Sequence, residues 1–180
     1  MTPPLLTFSN LPVPMSLNHR PVNTADIPVI CTFPQSEDES LFFFPKATFP
    51  LHPAQLLEAI AQRTDATVVE RRGEVVAFAN FYRWKAGGSC AIGNVIVAPT
   101  DRGCGIGRYL VEQMIGLAFA KYQAAEVTVS CFNHNTAGLL LYPKLGFQPY
   151  ALEERQGKHG KRLALVHMRL PRPAASNVTF

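Results

Sequence analysis

No apolar run in this chain approaches the roughly 20 residues that a membrane-spanning helix needs. The opening residues, MTPPLLTFSNLPVPM, lack the basic start and long apolar stretch of a secretory signal. A cytoplasmic protein with no membrane partner is therefore expected. Cysteine is scarce: positions 31, 90, 104 and 131 carry it, without Cys-x-x-Cys spacing or a short secreted context. Free thiols in a reducing compartment are the reading, with no metal site. Basic residues form no dense stripe interleaved with aromatics, so no nucleic-acid partner is expected. No internal repeat divides the chain.

What is present suits one domain: 180 residues, of which 47% are hydrophobic, can supply a full core. The net charge of +4 is unevenly spread. Residues 1–90 hold seven basic and eight acidic side chains, whereas residues 91–180 hold ten and five. The basic half is suited to a polyanionic ligand, although accidental surface charge would look the same.

That half contains the most informative stretch, Asn94 to Leu110. Val95, Ile96 and Val97 are β-branched and read as a strand ending at Pro99. Ile106, Leu110, Met114 and Leu117 then recur on one helical stripe, running to about Tyr122. Between them, Gly103, Gly105 and Gly107 leave successive amides unshielded at the helix N-terminus, where unpaired N–H groups and the helix dipole favour an anion. The spacing decides which anion. A dinucleotide fingerprint requires glycine where Arg108 stands, and a P-loop requires Gly-Lys-Ser/Thr where Gly107–Arg108–Tyr109 stands.

What fits is Arg-x-x-Gly-x-Gly, from Arg102 through Gly105 to Gly107, after a Val-x-Val-x-Pro strand. It resembles the coenzyme A pyrophosphate loop of the GNAT superfamily of N-acyltransferases. A second block that resembles the same family follows about thirty residues later, Asn135–Thr136–Ala137–Gly138–Leu139–Leu140–Leu141–Tyr142–Pro143–Lys144–Leu145–Gly146–Phe147. The resemblance covers roughly residues 66–170. It implies an α/β (α+β) fold with a mixed, mostly antiparallel central sheet, helices on both faces, and strands splayed at the cofactor site. It also implies acetyl-CoA as acyl donor and a small-molecule or protein amine as acceptor, and it leaves a homodimer open. Residues 1–15 are expected as a proline-rich arm, 16–170 as a single N-acetyltransferase domain and 171–180 as a tail.

By the same resemblance, the pantetheine arm lies beside Asn94, Val95, Ile96 and Val97, with a local bulge at Asn94–Val95 presenting a backbone N–H to the thioester carbonyl. Arg102 and the amides of Gly103, Cys104, Gly105, Ile106, Gly107 and Arg108 take the pyrophosphate. Arg102 could instead pair with Asp101 at the surface. Tyr142 corresponds to the tyrosine that protonates the departing thiolate, a task that suits a phenol of pKa about 10. Its alternative is packing along the pantetheine. Asn135 matches a cofactor-contacting asparagine and could equally cap the next helix. Pro143 departs from the family pattern and favours a kink or an early helix stop. Many relatives carry Glu or His on the strand before the loop, but residues 89–94 offer neither. Loss of that group motivates a second reading, a non-catalytic coenzyme A-binding regulatory or scaffold protein.

The remaining elements follow from local signals. Ser16–Val22 reads as a strand, and Thr24 as the cap of a short helix interrupted by Pro28. Ser36–Glu39 reads as a capping box, and His52–Pro53 as the next helix start. Hairpins are expected over 66–81 and 75–97, then a strand at Val127–Cys131 and a final strand pair around a charged loop Glu153–Arg162. The phenylalanines of Leu41–Phe49 read as core, or else as a wall of the acceptor site. His134 reads as an exposed loop residue, and Glu37, Asp38 and Glu39 as a solvated helix start or a lure for a cationic amine.

Overall fold

A computed structural model describes residues 16–157 and 160–174. The expected arm, and most of the expected tail, lie outside the described residues. Within them the chain runs β1 (Leu17–Pro21), α1 (Asp26–Cys31), α2 (Glu37–Phe43), α3 (Pro53–Ala61), β2 (Thr64–Arg71), β3 (Glu74–Trp84) and β4 (Ser89–Val97). A 3-10 turn at Pro99–Asp101 leads to α4 (Ile106–Lys121), β5 (Glu126–Phe132), α5 (Thr136–Lys144), β6 (Gln148–Gln156) and β7 (Arg162–Pro171).

The strands form one sheet in the order β1-β2-β3-β4-β5-β7-β6. Every neighbouring pair is antiparallel except β4 and β5, so the fold is the mixed, mostly antiparallel α/β arrangement expected. Helices cover both faces, and β3 shows why. Phe78 and Phe81 are three residues apart, which turns them to opposite sides of a pleated strand. Phe78 meets Phe43 of α2 edge-on at 6.1 Å, whereas Phe81 meets Tyr122, just past α4, at 6.0 Å. All four rings belong to or border a core in which Phe78 and Phe81 are wholly buried. Of the expected α4 stripe, Ile106, Leu110 and Met114 are buried together with Val111 and Ala118, while Leu117 is half-buried at the edge of the core.

Three local expectations need correction. Thr24 does not cap α1: the first turn is tied instead by Asp26 Oδ2 accepting from the Asn23 amide at 2.8 Å, and by Asn23 Oδ1 accepting from Ala25. Pro28 does not interrupt that helix, because it lies in the first turn, where its missing N–H has no intrahelical acceptor to lose. The charged loop before β7 is shorter than expected. Glu153, Glu154, Arg155 and Gln156 pair across to Leu165, Ala164, Leu163 and Arg162, and Arg162 grips Glu154 through two bonds of 2.6 and 2.9 Å. Opposite charges lying diagonally across the pair, with Arg162 opposite Gln156 and Glu154 opposite Ala164, support the ladder where charge alone suggested it would end.

The N-terminal strand is fastened by Arg20. Its guanidinium forks onto Asp26 at 2.7 and 2.9 Å and reaches Glu70 of β2 at 2.8 Å. Asp26 is buried, and hydrogen bonding to Arg20 holds its carboxyl below the ordinary carboxylate range despite the opposing effect of burial. A carboxyl lowered in the fold stabilises it at any pH above the unfolded value of about 3.9, and the contribution is lost as pH falls through the folded value. Denaturant midpoints from pH 7 to pH 2 should therefore fall for wild type, and the acid limb should be shallower for Asp26→Asn.

At the other end of the fold, α5 sits close against β5. A Cβ on Gly138 would stand 2.7 Å from Cys131 Sγ and 3.2 Å from Tyr142 Cε2. Alanine at this helical position gains up to about 1 kcal/mol of propensity, while overpacking a buried contact costs about 1–3 kcal/mol. Gly138→Ala should thus be net destabilising in urea melts, through displacement of α5 from β5.

Candidate active site

The two parallel strands at the centre barely join. Ser89, Cys90 and Ala91 pair with Glu126, Val127 and Thr128, and there the ladder stops. Beyond it β4 continues against β3 to Val97, and β5 continues against β7 to Phe132. The strands part, leaving the edge of β4 from Ile92 to Val97 without a strand partner on the β5 side.

A bulge lies within this free stretch. Phe78 opposes Ile96 and Asn80 opposes Gly93, so one residue of β3 spans two of β4, Asn94 and Val95. Asn94 takes a left-handed φ of +51°, a conformation its short polar side chain tolerates. The side chain is buried and fixed at both ends. Its Oδ1 accepts from Asn80 Nδ2 at 2.9 Å, and its Nδ2 donates to the Phe43 carbonyl of α2 at 2.5 Å. Asn80 Oδ1 in turn accepts from Arg63 at 3.2 Å. The expected bulge is thus present, held by a polar chain that spacing did not reveal.

The glycine loop follows. Gly103 and Gly105 have φ of +75° and +81°, and a Cβ at either would meet nothing within 4 Å. Their requirement is conformational, around open space. Gly107 differs: a Cβ there would contact Val97 Cγ2 at 3.5 Å and Leu141 Cδ2 at 3.6 Å, so it faces the space between β4 and α5. The first intrahelical bond of α4 is from the Tyr109 amide to the Gly105 carbonyl at 3.0 Å. The preceding amides have no acceptor within the helix, and no carboxylate stands in its first turn. Ile106 is buried and can offer only its amide, Cys104 is exposed, and the Arg108 side chain turns along the helix to Glu112 at 2.8 Å.

Arg102 does not pair with Asp101, which is held by Arg71. Its guanidinium forks onto Glu39 of α2 at 2.7 and 3.0 Å, and also donates to the carbonyls of Phe33 and Val97. Glu39 is therefore not a solvated helix start; hydrogen bonding to Arg102 lowers its pKa. Ser36 caps α2 as expected, accepting from the Glu39 amide at 3.2 Å, but the Glu39 carboxylate reaches back to the Gln35 amide and not to Ser36.

Across the gap stands α5. Asn135 caps it, Oδ1 accepting from the Gly138 amide at 3.1 Å. The helix ends one residue after Pro143, where the Tyr142 carbonyl collects the amides of Leu145 and Phe147. Tyr142 is 7% exposed and packs edge-on against Phe147. Burial, with a smaller contribution from Cys131, pushes its phenol pKa up. Its hydroxyl has no hydrogen-bond partner among the described residues and is not sealed from solvent. A neutral phenol with a free O–H is an available proton donor.

His134 is not the exposed loop residue expected. Its ring lies 4.7 Å from that of Phe42 and 6.0 Å from that of Phe132, and Nε2 is 3.6 Å from Asp38 Oδ1. Both ring nitrogens are buried without a hydrogen bond. The phenylalanine run divides accordingly: Phe43 is core, while Phe42 and Phe44 flank His134 and Arg63 on the α2 side of the sheet.

The profile described as Acetyltransferase (GNAT) family matches residues 33–147, well over half of the chain. No curated protein sequence matches significantly. Among solved structures, the Escherichia coli ribosomal-protein-S18-alanine N-acetyltransferase is 22% identical, with 92% of this chain and 100% of that chain covered and a TM-score of 0.69. YncA from Salmonella typhimurium, solved with its cofactor acetyl-CoA, is 22% identical over 91% and 99% of the two chains, with a TM-score of 0.67. A spermidine N-acetyltransferase chimera built from the Vibrio cholerae enzyme SpeG and hSSAT is 16% identical over 86% and 95%, with a TM-score of 0.71. At such identities the likeness is one of fold, and it extends over nearly the whole of each. With the parted strands, the bulge and the glycine turn in the matched order, the chain belongs to the GNAT acetyltransferase family.

Proposed function

We propose that the protein is an N-acetyltransferase that moves an acetyl group from acetyl-CoA to a primary amine by direct attack. The observation that carries this reading is the parting of β4 from β5 at a bulge, between an open glycine turn and a buried tyrosine with a free hydroxyl. The residues fit the donor. The amides of residues 103–108 would hold its pyrophosphate, the free edge of Val95 and Val97 its pantetheine amides, and the Asn94–Val95 backbone its thioester oxygen. Asn135 stands beside the same gap.

Acetyl-CoA supplies the activated acyl carbon and a thiolate leaving group. As the amine nitrogen bonds to that carbon and the C–S bond breaks, the Tyr142 hydroxyl gives its proton to sulfur. The surplus proton of the amine goes to a base on the acceptor side. His134 is the group we assign to it, because its two buried nitrogens lack hydrogen-bond partners and Asp38 Oδ1 stands 3.6 Å from Nε2. Free thiol and amide are the products. The competing reading, a coenzyme A-binding scaffold, uses the glycine turn and leaves Tyr142 and His134 without work.

Two measurements test this. Cys104 is the exposed thiol of the turn, whereas Cys90 and Cys131 are buried and burial pushes the Cys131 thiol up to about 12. Iodoacetamide should label Cys104 first, and acetyl-CoA should slow that labelling; unchanged labelling at saturating acetyl-CoA would remove the donor from the turn. With a good acceptor, Tyr142→Phe and His134→Gln should each lower kcat by roughly 10²–10⁴-fold while acetyl-CoA affinity holds. Retained turnover in the Tyr142 variant, measured where chemistry limits the rate, would exclude the phenol as the acid.

A further inference from the structure

Arg63 lies between α3 and β2, and its guanidinium extends across the α2-side face of the sheet. It sits 5.9 Å from the Phe44 ring and 5.7 Å from the Tyr82 ring, with Nη1 on Asn80. Gly93, directly opposite Asn80 in the ladder, makes room for it. A Cβ at Gly93 would stand 3.0 Å from Nη1 and 2.7 Å from Tyr82 Cδ1. The cation therefore fills the place that a β4 side chain would take one residue before the bulge.

This charge is half-buried without a carboxylate. Arg20, Arg71, Arg102, Arg108, Arg155 and Arg162 each have a carboxylate within 4 Å. Among the described residues Arg63 has none; Arg72, Arg83, Arg169 and Arg172 have none either, but they are exposed to water, and the Arg83 guanidinium flanks the other part of Tyr82 at 5.9 Å. Asp65, two residues along the chain, is occupied by Lys121 at 2.6 Å and Tyr122 at 2.5 Å. Burial disfavours the charge on Arg63 and lowers its pKa, yet a guanidinium does not give up its proton in a protein. One neutral amide accepts from a group with five donors, and the remaining donors are not sealed from solvent. Such a fork matches the two oxygens of a carboxylate.

Building on the acetyltransferase reading, we infer that the acyl acceptor is an amine carrying a carboxylate, an amino acid or close analogue, and that Arg63 binds this carboxylate beside the bulge. The amine end then lies toward Asn94, and the aromatic walls Phe44 and Tyr82 bracket the anion. A polycationic acceptor is disfavoured, because a second ammonium group would meet Arg63 and Arg83 with no carboxylate between them.

Free-thiol release by the wild-type protein should be compared for proteinogenic amino acids and for the same compounds as primary carboxamides. The acids should have kcat/KM roughly ten- to a hundredfold higher, as expected for one charge-assisted fork. Arg63→Gln should bring that ratio close to one, by raising KM for the acids much more than for the amides; Arg63→Lys should lie between. Calorimetry with N-acetylated amino acids and their amides gives a readout that needs no turnover. Arg63-dependent preference for the acids, without thiol release from any acceptor, would sustain the anion site and sink the transfer reading. Turnover of amides or spermidine as good as that of the acids would overturn the Arg63 assignment and leave the transfer reading intact, and absence of both turnover and acid binding would overturn both. Should Arg63→Gln fail to fold, the wild-type comparison of acid with amide and the Lys variant decide the matter.

Discussion

Three residue pairs are all that hold β4 to β5. A sheet normally gains from every further rung, so a ladder that stops after three must be prevented from continuing. The bulge does this on one side: with Asn94 in a left-handed conformation, the remainder of β4 follows β3 and not β5. On the other side, seven pairs to β7 carry β5 away as far as Phe132. Backbone donors and acceptors are left open along β4 in the middle of a sheet, where burial would otherwise make them costly. The whole site is arranged around that opening, with a glycine turn at one end, Tyr142 across it, and α2 beneath the bulge.

The bulge is held from several directions. Asn94 ties β4 to the Phe43 carbonyl, Asn80 ties it to β3, and Arg63 closes the chain from the end of α3. Each group satisfies a neighbour that would otherwise be a buried orphan, and removing one exposes the next to the full desolvation penalty. The direction of the Asn94–Val95 backbone is therefore set by folding, not by a ligand.

How much of this was legible in the sequence depended on range. The strand, glycine turn and α4 stripe were plain because each signal lies within a few residues, and the Ser36 cap and His52–Pro53 start were plain for the same reason. The bulge was expected only from resemblance to the family. Contacts across long separations left no local mark: Arg102 and Glu39 are 63 residues apart, Asn94 and Phe43 are 51 apart. His134 looks like a loop residue until Phe42 and Phe132 close on it. Gly93 was the one missed position with a readable sign, since a glycine within a strand points to a bulge or a close approach.

The fork between Arg102 and Glu39 has a consequence in proton balance. Glu39 titrates below its ordinary range because the guanidinium holds its charged form. An anion that draws Arg102 away returns Glu39 toward its ordinary value, so the complex takes up a fraction of a proton that the free protein did not hold. Binding of that anion then strengthens as the solution becomes more acid, although none of the anion's own groups need titrate there. It also unfastens the start of α2 from the glycine turn, so that occupancy at one end of the opening is felt by the helix beneath the other.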